Sequence, residues 1–145
     1  MGKVETYQDL EVWKQTRALV SNIYELTKAF PKDEQFGLTN QLRRAAVSIP
    51  SNIAEGCGRN HFKDSIQFFF ISRGSLYETE TQILIAFDLG FLNESERESI
   101  IEKIQSCKRL LNGFINYYQN KKEQQPTVNE PLSEYENFIS EDTNI

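Results

Sequence analysis

Leu38-Thr39-Asn40-Gln41-Leu42-Arg43-Arg44-Ala45-Ala46-Val47-Ser48-Ile49-Pro50-Ser51-Asn52-Ile53-Ala54-Glu55-Gly56 is the stretch on which the fold turns. Leu42, Ala45, Ala46, Ile49 and Ile53 recur every three or four positions, the spacing of one face of an α-helix. Gln41, Arg44, Ser48, Asn52 and Glu55 form a polar stripe beside that face. Pro50 lies inside the pattern; without an N–H it removes one backbone bond, which predicts a kink or a brief interruption. Gly56-Cys57-Gly58 ends the helix, and Asn60 stands where it can cap the next one.

The same period extends to both sides of this stretch. A first helix is predicted from about Asp9 to Phe30, with Val12, Leu19, Ile23, Leu26 and Phe30 on one stripe and Pro31 as its stop. A third helix spans about His61 to Leu89, with a stripe of Phe62, Ile66, Phe69, Arg73, Leu76, Glu80, Ile83 and Phe87. Gly90 closes it. Asn93 followed by Glu96 makes a capping box for a fourth helix, striped by Ile100, Ile104, Cys107, Leu111, Phe114 and Tyr118. Four such helices, each about 30–45 Å long and joined by short loops, predict an all-α, antiparallel up-down four-helix bundle with helix 2 kinked at Pro50.

Charge divides the 145 residues unevenly. Residues 1–122 hold all 16 Lys and Arg with 15 Asp and Glu, whereas residues 123–145 hold Glu123, Glu130, Glu134, Glu136, Glu141 and Asp142 and no base. The formal charge of −5 is therefore a near-neutral body, net +1, plus a tail of net −6. The predicted division is a bundle over residues 1–120 and an acidic C-terminal tail over 121–145. Pro126 and Pro131 mark an irregular start to the tail. Leu132, Tyr135, Phe138 and Ile139 then recur at roughly helical spacing. The tail reads either as solvated chain or as a short docking helix.

Two features exceed the needs of a lone bundle. Ile66, Phe68, Phe69, Phe70 and Ile71 encircle helix 3, and a helix apolar nearly all round needs partners on more than one side. Phe68, Phe70, Tyr77 and Leu84 are thus the expected oligomer contacts, the alternative being scattered surface aromatics. Arg73 and Glu80 occupy seam positions and require pairing, with polar residues of helix 2 or across a channel between subunits. The polar stripe of helix 2 reads as an internal network or an oligomer contact. Gly74 and Ser75 would admit a close neighbouring helix.

Much chemistry is disfavoured. His61 is the single histidine and lacks a Glu three residues before it, so a di-iron carboxylate site cannot be built. Cys57 and Cys107 are 50 positions apart without nearby ligands, which argues against zinc and against a disulfide framework and points to a reducing cytoplasm. Glu78 and Glu80, two apart on a helix, do not converge. Gly56-x-Gly58 follows a helix rather than a strand and is a turn, not a dinucleotide fingerprint. The chain lacks ~18 consecutive apolar residues, so no membrane span is expected. Met1-Gly2-x-x-x-Thr6 matches a loose myristoylation pattern, and Asn93-Glu94-Ser95 a glycosylation acceptor without other signs of secretion. No nucleophile has a recognisable base; no enzyme activity, cofactor or metal is expected.

The stretch Ser48-Ile49-Pro50-Ser51-Asn52-Ile53-Ala54-Glu55-Gly56, together with Phe30-Pro31 and Gly74-Ser75-Leu76-Tyr77-Glu78-Thr79-Glu80-Thr81-Gln82, closely resembles the four helix bundle protein family. Its members were first noticed in open reading frames within intervening sequences of bacterial large-subunit ribosomal RNA genes. The resemblance covers about residues 7–119 and leaves the acidic tail outside. It implies a barrel-like homopentamer without enzymatic activity. A similar bundle serves as the accessory protein of diversity-generating retroelements, where it binds nucleic acid and the reverse transcriptase. The leading expectation is therefore a non-enzymatic oligomer acting on RNA or a ribonucleoprotein partner, with Arg43, Arg59 and Lys63 as nucleic-acid contacts. The alternative is a protein–protein scaffold without nucleic-acid binding.

Overall fold

The computed structural model describes residues 4–124 and Tyr135. Its helices are α1 (Glu11–Thr27), α2 (Leu38–Cys57), α3 (Phe62–Asp88) and α4 (Glu94–Gln124), with single 3-10 turns at Tyr7–Asp9 and Lys32–Glu34. Each helix packs on the next, and α1 also packs on α4, while the backbones of the diagonal pairs α1–α3 and α2–α4 stay apart. That is a four-sided bundle around one core. Ser72 of α3 meets Ile49, and Ser75 meets Ser48, so position rises along α3 as it falls along α2. The same antiparallel sense links Arg73 to Asn112 and Glu80 to Gln105 across α3 and α4.

The ends follow local chemistry. The Asn93 and Glu96 capping box forms: Glu96 N–H donates to Asn93 Oδ1 at 2.8 Å, and Asn93 N–H to Glu96 Oε1 at 3.0 Å. Gly90 takes φ +79, which lets Phe91 N–H reach back to the Ala86 carbonyl at 2.9 Å and close α3. The first helix is shorter than expected at both ends: Leu10 is extended and separates α1 from the Tyr7–Asp9 turn, and α1 closes at Thr27, before Phe30. Asn60 does not cap α3; His61 holds the N-cap position, without a side-chain bond. The fourth helix runs four residues beyond the expected bundle limit, to Gln124.

The line that α3 turns to the core differs from its sequence pattern at charged positions. Phe62, Ile66, Phe69, Leu76 and Ile83 are buried as the spacing predicts, but Ser72, Thr79 and Ala86 take the places expected for Arg73, Glu80 and Phe87. These small side chains allow close packing and satisfy themselves. Ser72 Oγ donates to the Ile49 carbonyl and Thr79 Oγ1 to the Ser75 carbonyl, each at 2.8 Å. Glu80 turns away from α2 altogether. Its carboxylate accepts from Lys108 Nζ at 2.6 Å and Gln105 Nε2 at 2.9 Å, both on α4. Arg73 likewise reaches α4, donating to Asn112 Oδ1 at 3.3 Å with its guanidinium 5.0 Å from the Phe70 ring. The expectation of helix 2 partners for this pair is corrected: the α3–α4 groove is where long side chains have room to lie flat.

At the lower corner, where α2 hands over to α3, the core is aromatic. Phe69 stacks on Phe114 and Tyr118, with centroids 4.8 and 4.7 Å away, and Phe62 meets Tyr118 at 5.3 Å. Tyr135 is buried against the outer side of this cluster. Leu132, Phe138, Ile139 and the myristoylation pattern at Met1 and Gly2 lie outside the described residues.

Candidate interaction site

Helix α2 continues unbroken through Pro50. The proline offers no N–H to the Ala46 carbonyl. Nearby carbonyls receive side-chain donors: Ser51 Oγ to Val47, Asn52 Nδ2 to Ser48 and Ser72 Oγ to Ile49, each at 2.8 Å. This gives Ser51 and Asn52 a physical reason to follow the proline. Asn52 Nδ2 and Ser75 Oγ each also donate to Ser48 Oγ at 2.9 Å, joining the polar stripe of α2 to α3.

Toward the start of α2 this stripe opens into a groove of about 340 Å³ between α2 and α3, lined by Asn40, Gln41, Arg44, Ser48, Ser75 and Glu78 among others. Gln41 and Arg44 are exposed there, and Glu78 accepts from Gln82 Nε2 at 3.2 Å. Gln82 Oε1 is buried without a protein partner. Glu55, at the far end of the stripe, instead pairs with Arg59 at 3.2 Å on the surface.

The three expected nucleic-acid contacts do not form one patch on a protomer. Arg43 and Arg59 are 16 positions apart, Arg59 lying two residues beyond the end of α2 at Cys57, and the 14 residues of helix between Arg43 and Cys57 span about 21 Å. Arg43 is turned into the bundle: Nε donates to Thr27 Oγ1 at 2.8 Å, and the guanidinium lies 4.6 Å from the Tyr24 ring. Arg59 lies over Phe68 at 4.5 Å. Lys63 is exposed one turn away, at the start of α3.

On the outer face of α3, Ile71, Tyr77, Leu84, Ile85 and Leu89 are between 42% and 57% exposed. Tyr77 and Leu84 were expected here. Phe68 and Phe70 are half-buried instead, beneath Arg59 and Arg73. Ile85 and Leu89 were missed, although their four-residue spacing, and the fourteen-residue spacing from Ile71 to Ile85, carried the signal. Gly74 sits on this side of α3 with no atom within 4 Å of where its Cβ would stand. Of the close approach expected at Gly74 and Ser75, Ser75 does meet Ser48 of α2, Gly74 meets no helix of the protomer, and a tighter contact lies at Gly56, which faces Phe69 and the Ser65 carbonyl.

Neither thiol suits nucleophilic work at neutral pH. Burial raises Cys57 from 9.0 to about 12 and Cys107 from 9.0 to about 11. Burial also raises the Tyr118 phenol, which lies against Cys57, and lifts Tyr135 from 10.0 to about 12. Each folded-state value exceeds its ordinary one, so the stabilising contribution is intact below about pH 9 and is lost as pH climbs toward 12. Thermal melts should therefore give a midpoint that falls above about pH 9, by at most ~1.4 kcal/mol of stability per pH unit per group. A midpoint unchanged to pH 11 would contradict the burial of these groups. Among the described residues, no three His, Cys, Asp or Glu side chains gather as a metal site, and no helix is long and apolar enough to cross a membrane.

Residues 8–113 match the model of the family described as 23S rRNA-intervening sequence protein. A solved structure from Bacteroides thetaiotaomicron, described as a protein of unknown function from the S23 ribosomal protein family, has the same fold, with a TM-score of 0.65 at 21% identity. The likeness covers 72% of this chain and 97% of that one. A comparison with curated proteins returns no match.

Proposed function

The chain belongs to the 23S rRNA-intervening sequence protein family, and from that premise we propose that it is a non-enzymatic homo-oligomeric bundle, acting in the cytoplasm on RNA or a ribonucleoprotein partner. The observation that carries this reading is the outer face of α3. Five large apolar side chains, each about half exposed, line one helix over some 18 residues. Covering the remainder of each is worth about 1 kcal/mol, and a self-associating face repeats that gain in every copy. The assembly proposed is a homopentamer.

RNA affinity depends on clustered cations that displace counterions from phosphates. A single protomer offers only Arg59 and Lys63 at the α2–α3 corner, and symmetry would multiply them around one rim. The test has two parts. Light scattering should give a mass near five times the 16.9 kDa chain. Single-stranded RNA should be retained at about 50 mM salt and released progressively toward 200 mM. Absence of binding at the lower salt, both with and without residues 123–145, defeats the RNA reading. It would leave the protein scaffold, which the engagement of Arg43 with Thr27 and the surface pairing of Arg59 with Glu55, each within one protomer, favour.

A further inference from the structure

We infer that the outer face of α3 receives a second copy of this chain in one register, with Glu78 paired to the partner's Lys103 and Arg44 to the partner's Glu25; this rests on the homo-oligomer reading above. Glu78 lies seven residues after Ile71 and seven before Ile85, so the three share one line along the helix. Gly74 stands beside that line with no atom within 4 Å of where its Cβ would be. Covering the two isoleucines therefore covers the carboxylate between them. A buried carboxylate is costly without a cation, and Glu78 holds only the neutral Gln82 amide, at 3.2 Å. Arg44, on the facing wall of the α2–α3 groove, makes no ion pair with it and has no other partner among the described residues.

The counter-charges lie on the opposite side of the same bundle. The groove between α1 and α4, about 430 Å³, is lined by Glu25 on α1 and Lys103 on α4 among others. Lys103 has no partner among the described residues. Glu25 pairs with Lys28 at 2.9 Å, but both are well exposed, and such a surface pair contributes little and exchanges readily. The groove charges thus run plus on α2, minus on α3, plus on α4 and minus on α1. Two copies set side by side, helices in the same sense, place α2 against the partner's α1 and α3 against the partner's α4. Opposite charges then meet at both contacts, whereas copies in the opposite sense would set Arg44 against lysine and Glu78 against glutamate. Depth agrees as well. From the end of the bundle where α1 closes and α2 begins, Glu78 lies about 15 Å and Lys103 about 14 Å along their helices, Arg44 about 9 Å and Glu25 about 3 Å. Long basic side chains span offsets of that size. Because the two grooves differ, every open row of copies leaves one of each uncovered, and only a ring uses all of them.

The experiment is charge reversal in the full chain, read by light scattering across a dilution series. Glu78 and Lys103 are exposed in the protomer, so circular dichroism should show unchanged helix content in every variant. Glu78→Lys and Lys103→Glu should each weaken association by about a hundredfold or more. The double variant should return to within about tenfold of the parent. Single variants that assemble like the parent, or a double variant that stays dissociated, would overturn the register and leave the oligomer in place. Recovery of Glu78→Lys by Arg44→Glu and not by Lys103→Glu would also overturn it, because the pair would then lie within one protomer. A parent at the 16.9 kDa monomer mass would remove the oligomer reading and the register together.

Discussion

Gly56→Ala is expected to lower stability by about 2–3 kcal/mol, and the thermal midpoint by roughly 10 °C for a chain of this length. The direction opposes helix propensity, which favours alanine over glycine inside a helix by up to ~1 kcal/mol. A Cβ at Gly56 would stand 2.4 Å from Phe69 Cε1, 2.9 Å from Phe69 Cδ1 and 2.9 Å from the Ser65 carbonyl oxygen. The ring cannot retreat, because Phe114 and Tyr118 pack on it. The carbonyl is backbone of α3. Helices α2 and α3 would have to part at the corner, opening gaps along their contact. Gly113→Ala is the control: its Cβ would meet nothing within 4 Å, and α4 should gain a few tenths to 1 kcal/mol. Circular dichroism melts of both variants decide the matter, and an unchanged or raised midpoint for Gly56→Ala would show that the corner is not closely packed.

Ile71→Glu combined with Ile85→Glu is expected to abolish assembly while leaving the bundle folded. Both side chains are exposed in the protomer, so charge there costs the isolated bundle little. Within a covered face, each carboxylate would be stripped of water without a partner, a penalty of several kcal/mol. The effect on association is thus several powers of ten, whereas the effect on helix content is small. Tyr77 is spared because its ring lies 4.3 Å from Lys108 Nζ. Light scattering should show the parent as an oligomer and the variant at the 16.9 kDa monomer mass. A monomeric parent, or a variant that remains assembled, would remove the outer face of α3 from the account.

Which parts of this were legible beforehand follows from what periodicity encodes. The four helices, the Asn93–Glu96 cap and the inward stripe of α4 depend on neighbours within a turn or two, and the residue order specifies them. The groove side of α2 was legible as a polar stripe, although its depth was not. Arg73 and Glu80 were misplaced because a search for large residues at seam spacing passes over Ser72 and Thr79. Those two are buried by virtue of being small and able to bond to carbonyls. The apolar outer face of α3 was half legible, since Tyr77 and Leu84 were found and Ile85 and Leu89 were not.

By itself the sequence determined the helical class, the four helices of the described residues, the acidic character of the tail and the unusual Ser-Ile-Pro-Ser-Asn stretch inside α2. Spacing along one chain says which side chains share a face. It does not say what that face meets, because a partner helix lies tens of residues away and the register between them is a property of the packed whole. Only the tertiary structure assigned Lys108 to Glu80, Arg43 to Thr27, the close approach to Gly56 instead of Gly74, and Tyr135 to its seat on Phe114 and Tyr117.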